Sequence, residues 1–259
     1  MTNLLAPKEA PIELDKIWFW NAASRELFDQ HAGVESSNLT HDEIERLRPR
    51  VYERVLAHAT ECPVFLKMHD AYRLTSNAEP LISHNASSAA IYLVRNPLDI
   101  AVSFASHSHH MDQDLTIARM CMSDYALCSD EERLESQLRQ MLLDWSSHVQ
   151  TWLGQDCIPV HVLRFEDMKL DPVHTFHSAI RSIGLAHSES EVALALENCH
   201  FELLQQMERK YGFPEGWNSK SPFFRQGEID SWKRHLSEQQ VQQVVTCHEK
   251  MMRQLGYLE

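Results

Sequence analysis

An α/β fold built on a parallel sheet is predicted by three features of this sequence. Short apolar runs, among them the β-branched Ala90–Val94, read as buried strands. They alternate with segments whose apolar residues recur at helical spacing. Several of those segments begin with a capping signature and end at glycine. Strands alternating with helices imply a parallel sheet covered on both faces, with ligands bound beyond the carboxyl ends of the strands.

The elements follow in order. Apolar positions at helical spacing over residues 11 to 31 (Ile12, Ile17, Trp18, Trp20, Leu27, Phe28) predict a helix closed by Gly33. Thr40-His41-Asp42-Glu43 is a capping box opening a helix toward His58, with a kink or break expected at Pro49. Residues 63 to 69 (Pro-Val-Phe-Leu-Lys-Met-His) read as a short strand ending in polar residues, and Ala90–Val94 as the next. Pro97 fits the first turn of the following helix. Leu134, Leu138, Met141, Leu142, Trp145, Val149 and Trp152 predict one long helix over about 130 to 153. A third strand over 159 to 163 precedes a helix from Pro172 to about Ile183, closed by Gly184. Ser188 and Ser237 open two further helices, the last running to Leu255 with Gly256 past its end. The stretch from Tyr211 to Ser231, rich in glycine, proline, serine and aromatics, reads as a long functional loop. With no repeat, low-complexity tract or linker, residues 1–259 are read as a single domain.

At 259 residues the chain can bury a substantial core. A hydrophobic content of 43% with 24% charged residues is that of a globular protein. A formal net charge of −13 argues against nonspecific binding to nucleic acid or anionic membrane. No apolar run is long enough for a transmembrane helix and no signal peptide is evident, so the expected location is cytoplasmic. The six cysteines, without a C-x-x-C pair, are expected to be reduced thiols. The histidine-rich Ser106-His107-Ser108-His109-His110 lacks converging partners at metal-site spacing and reads as a solvated helix end.

Four segments are expected to meet at the carboxyl edge of the sheet. Arg95-Asn96-Pro97 puts a cation where a strand ends. Ser103 lies two helical turns on, about 8–9 Å along the axis at 1.5 Å per residue. An arginine fork and a serine hydroxyl so placed suit one phosphate. Lys67-Met68-His69 offers a cation and a near-neutral base at a strand end. Phe165-Glu166-Asp167-Met168, followed by Asp171-Pro172, places an aromatic after the third strand. Glu166 and Asp167 read as structural or capping residues. Phe224-Arg225-Gln226-Gly227 offers a guanidinium and a glycine for close backbone approach.

Together these segments resemble the motifs of the sulfotransferases that use 3′-phosphoadenosine 5′-phosphosulfate (PAPS), from about residue 60 to the C-terminus. The resemblance implies a P-loop NTPase-like three-layer fold with a central parallel sheet. It implies His69 as general base and Lys67 as the residue contacting the sulfuryl group. It implies Arg95, Ser103, Arg225, Gln226 and Gly227 on the 3′-phosphate, and Phe165 near the adenine. PAPS is then the co-substrate and no metal is required. The acceptor would be a hydroxyl or amine on a small molecule, sugar or lipid, with no nucleic acid as partner; a homodimer is compatible with this reading. Phe165 stands where the family has tyrosine and Gln226 where it has lysine, which removes a hydroxyl and a positive charge. The family's first strand and its Pro-Lys-Ser-Gly-Thr-Thr-Trp-like loop have no counterpart in the sequence, since no glycine precedes Gly33. Pro7-Lys8 is followed by the wrong residues. The sequence is therefore expected to start just after that loop. Two other readings stay open: a nucleotide-binding paralogue or fragment without catalysis, and a nucleotide kinase-like P-loop protein.

Overall fold

The computed structural model of this chain describes residues 1–5, 13–14, 19–60, 62–107, 112–213 and 222–259. Two compact units comprise Met1–Trp18, Ile91–Arg119 and His161–Glu259, and Phe19–Ala90 and Met120–Val160, respectively. Each is taken on its own.

In the first unit the strands Ala90–Val94 and Val160–Arg164, lying there but for their first residues, pair with each other. The Pro97–His107 helix begins where the sequence placed it. The Asn96 side chain accepts from the Leu98 amide at 3.0 Å and so replaces a missing intrahelical partner. That helix buries Leu98, Ala101, Val102 and Ala105. It packs on the Glu238–Gln254 helix and on a 3₁₀ turn over Ser231–Arg234. The Pro172–Ser182 helix is capped by Asp171, and Gly184 after it adopts φ +83°. Capping boxes at Ser188 and Ser237 open the Glu189–Glu197 and Glu238–Gln254 helices. Ile180 and Val192, from neighbouring helices, form a buried cluster with Leu4.

In the second unit Trp20–Asn21 and Leu66–Lys67 form a parallel pair. Among the described residues the strands thus make three two-stranded sheets rather than one continuous sheet, the third being antiparallel Ala126–Leu127 with Gln140–Met141. The expected helix over 11 to 31 is corrected where it is described. Trp20–Asn21 is strand, and helix occupies only Arg25–Ala32, with Ser24 as its cap and Gly33 at φ +78°; residues 11, 12 and 15–18 lie outside the description. The Thr40 capping box is present, and the helix runs unbroken from His41 to His58 through Pro49. Proline removes one backbone donor there, while the flanking Arg48 and Val51 are buried and hold the helix in place. The expected long helix over 130 to 153 shrinks to Trp145–Gly154, begun by the Asp144 cap. Its upstream apolar residues belong instead to an extended stretch that buries Leu138 and leaves Leu134 64% exposed.

Cys121 and Cys247 are disulfide-bonded, which corrects the expectation of reduced thiols at those positions; Cys62, Cys128, Cys157 and Cys199 are free. Nothing in the spacing of the two bonded residues marks them. Among the described residues no helix is long and apolar enough to cross a membrane.

Candidate functional site

The first unit gathers most of the expected anion-binding residues. Arg95 leaves the strand and lays its guanidinium over the Phe165 ring at 4.2 Å, a cation–π contact. Its Nη2 donates to the Glu228 carbonyl at 2.7 Å, and its Nε is buried without a hydrogen-bond partner. Asp99 stands 4.0 Å away, fully buried. That carboxylate is already engaged: it accepts from the Asp230 amide at 2.9 Å, the Ser231 hydroxyl at 2.9 Å and the Trp232 amide at 3.0 Å. Burial holds the Arg95 pKa below its ordinary value; Asp99 and Glu166 oppose that shift, and the like charge of Arg225 adds to it. The Arg225 guanidinium makes no hydrogen bond or ion pair among the described residues. Two guanidinium groups thus feel each other's charge, and the two carboxylates that act on Arg95, Asp99 and Glu166, have oxygens taken by other donors. Guanidinium donors left without a bonded carboxylate can bind an anion.

The loop carrying Arg225 is held from two sides. From the Phe201–Tyr211 helix, the Glu208 carboxylate accepts from the Phe223 and Phe224 amides at 2.6 and 3.0 Å. Gln205 Nε2 donates to the Phe224 carbonyl at 2.7 Å. On the other side Asp99 fixes residues 230–232. Gly227 sits between at φ +58°, where a Cβ would come within 2.9 Å of the Phe201 ring. The close approach for which glycine was expected is therefore made, within this chain, to an aromatic ring. Gln226 buries its Oε1 with no hydrogen-bond partner. Ser103 is exposed on its helix and its hydroxyl is unengaged among the described residues. One face of Phe165 is taken by Arg95, so a nucleotide base could pack only on the other. Residues 214–221, part of the expected long loop, and Ser108, His109 and His110 lie outside the described residues.

Glu166 has the structural role expected of it. Oε1 accepts from the Asn96 amide at 3.0 Å, and Oε2 accepts from the Tyr257 hydroxyl at 3.1 Å. Asp99, Glu228 and Tyr257 were not singled out by sequence reasoning. Only Asp99 carried a signal, its i,i+4 spacing from Arg95.

Lys67 and His69 belong to the second unit. Backbone bonds from Trp20 N to the Phe65 carbonyl and from Ala22 N to the Lys67 carbonyl, both 2.9 Å, hold their strand. The Lys67 ammonium lies 5.4 Å from the centre of the Phe19 ring. His69 is exposed at the strand end. Its carbonyl accepts from His148 Nε2 at 3.0 Å, and the next carbonyl, of Asp70, accepts from Trp152 Nε1 at 3.0 Å. His148 and Trp152 are four residues apart on one helix and so face the same segment. Burial lowers the His148 pKa below its ordinary value. Behind His69, Asp70 makes a two-pronged pair with Arg48 at 2.9 and 2.7 Å, and both side chains are buried. Arg48 Nε donates to Tyr52 Oη at 2.6 Å, and Tyr52, whose pKa burial pushes up to about 12, donates to the Ala22 carbonyl at 3.0 Å. The general-base candidate therefore hangs from a rigid, fully bonded anchor.

Several known proteins resemble this chain. Mouse sulfotransferase 4A1 is 26% identical over 172 residues, covering 66% of this chain and 53% of the relative. Rat sulfotransferase 1C2 is 25% identical over 229 residues, covering 84% and 73%. The chain thus spans about half the length of the 4A1 relatives it matches. Among solved structures, mouse sulfotransferase SULT7A1 complexed with PAP aligns with a TM-score of 0.54 at 17% identity, covering 77% of this chain and 69% of the other. Retinol dehydratase in complex with androsterone and the inactive cofactor PAP aligns at 0.53 and 18%, covering 81% and 59%. These alignments establish the P-loop NTPase-like α/β fold. Residues 17–256 match the sulfotransferase domain, and the chain belongs to that family.

Proposed function

We propose that this protein transfers a sulfuryl group from PAPS to a hydroxyl or amine of a small-molecule, sugar or lipid acceptor. The observation that carries the proposal is the pair Arg95 and Arg225, two guanidinium groups that act on each other while neither makes a close two-pronged carboxylate pair among the described residues. A 3′-phosphate dianion would accept from both, and the exposed Ser103 hydroxyl supplies a further donor. Gln226 and Gly227 belong to the same binding segment. The Arg225 guanidinium, without a hydrogen bond or ion pair among the described residues, fits an anionic ligand, and the PAP-bound relatives support that assignment.

In the proposed reaction the acceptor oxygen or nitrogen forms a bond to sulfur while the sulfur–oxygen bond to the phosphate breaks. His69 takes the acceptor's proton, and Lys67 stabilises the negative charge developing on the transferred group and leaving oxygen. The departing product is adenosine 3′,5′-bisphosphate. Such chemistry requires a base and cations, and no metal is called for. Both units are read as parts of one domain. A cytoplasmic location is proposed with this function; the disulfide-bonded cysteines are the feature that opposes it, because disulfides are rare in that compartment.

The test is transfer of labelled sulfate from PAPS to a panel of hydroxyl and amine acceptors. His69→Ala is expected to lower the rate by about 10²-fold or more, the low end for general-base catalysis. A chelator is expected to leave the rate unchanged. Wild-type turnover in the variant removes His69 from its role. Nucleotide binding without transfer to any acceptor would leave the non-catalytic reading.

A further inference from the structure

The third residue from the end of the chain reaches the residues that hold Arg95. The Glu238–Gln254 helix closes with the Gly256 amide on the Arg253 carbonyl at 3.1 Å and the Tyr257 amide on the Met252 carbonyl at 2.8 Å. This paired closure is the Schellman motif, and it needs a residue tolerant of positive φ at Gly256, which stands at +74°. It folds the chain back so that the Tyr257 ring lies under the Arg164 guanidinium at 4.7 Å and its hydroxyl reaches Glu166 Oε2. Glu166, 7% exposed, uses its other oxygen on the amide of Asn96, the residue after Arg95. It is also the neighbour of Phe165, the ring on which Arg95 lies. One carboxylate therefore sets the backbone beside Arg95 and the platform beneath it, and one of its two oxygens is oriented by Tyr257.

We propose that Tyr257 is a positioning residue for anion recognition by Arg95, acting through Glu166. Without the hydroxyl the Glu166 carboxylate is free to rotate, and its grip on Asn96 and the placing of Phe165 both loosen. The cost falls on recognition of the 3′-phosphate and leaves the rest of a bound nucleotide largely unaffected. This inference rests on the nucleotide-binding reading proposed above.

The experiment measures the affinities of adenosine 3′,5′-bisphosphate and adenosine 5′-phosphate by calorimetry for the wild type, Tyr257→Phe, Glu166→Gln and the double variant. Tyr257→Phe keeps the ring and its cation–π contact and removes the hydroxyl's bonds to Glu166 and Arg164. It is expected to reduce the preference for the bisphosphate by about three- to tenfold, the scale of one hydrogen bond, and to leave 5′-phosphate affinity unchanged. In the Glu166→Gln background the same change is expected to have little further effect, because the two residues act in series. An unchanged preference in Tyr257→Phe overturns the proposal. So does an equal loss for both nucleotides, or an undiminished loss in the Glu166→Gln background. A wild type that binds the two nucleotides equally defeats the nucleotide-site reading itself, a result distinct from any of these.

Discussion

Arg48 and Arg95 are the same residue in opposite situations. Arg48 is 1% exposed and its Nε, Nη1 and Nη2 all donate, to Tyr52, Asp70 and the Arg139 carbonyl. Its charge is matched by a carboxylate whose geometry it fills. Arg95 is only partly covered, has one bond to a carbonyl and an orphaned Nε, and faces a carboxylate already engaged with three neutral donors. The first arrangement is complete and specifies structure. The second leaves guanidinium donors without a bonded carboxylate, with the charge of a second arginine, Arg225, acting on it. Where folding uses every donor of a buried arginine the residue serves the scaffold; where donors are left over, a ligand can take them.

Removing one partner of a buried pair leaves the other uncompensated, so Asp70→Ala is expected to destabilise the protein by about 3–5 kcal/mol in urea denaturation. A loss near zero would mean that Arg48 is not the finished structural ion pair described.

A smaller effect sharpens the same contrast near His69. The His148 pKa is lowered in the folded protein from its ordinary 6.5, mainly by burial. The unfolded chain then binds the proton more readily, so stability rises with pH through the window between the two values. The contribution is fully present above pH 6.5 and is lost as pH falls through the lowered folded value. Stability measured from pH 7.5 down to about 5 is expected to decline more steeply in the wild type than in His148→Gln. Parallel profiles would show that the surroundings of His148 do not disfavour its charged form.

Local chemistry was readable from the sequence and long-range chemistry was not. The strand and helix around Arg95, the capping boxes at Thr40 and Ser188 and the cap at Ser237 are written in a few adjacent residues, and they appear where expected. The long helix over 130 to 153 failed because apolar spacing alone cannot separate a helix from an extended stretch with the same buried residues. In the site, the identities of Arg95, Phe165 and Arg225 were legible as motif residues. Their contacts were not: Arg95 meets a carbonyl 133 residues away, and Glu166 a hydroxyl 91 residues away. Pairings of that separation leave no pattern in a single chain, so Tyr257 emerges only from the fold, while Asp99 left only its i,i+4 spacing from Arg95.

The proposed anion site of Arg95 and Arg225, completed by a 3′-phosphate, is probed by calorimetry of the wild type with adenosine 3′,5′-bisphosphate and adenosine 5′-phosphate. A clear preference for the bisphosphate is expected, with Arg95→Ala losing about 1.5–3 kcal/mol of its binding, the scale of a hydrogen bond to a charged group. Equal affinity for the two nucleotides, or an Arg95→Ala variant that binds the bisphosphate as well as the wild type, would contradict it.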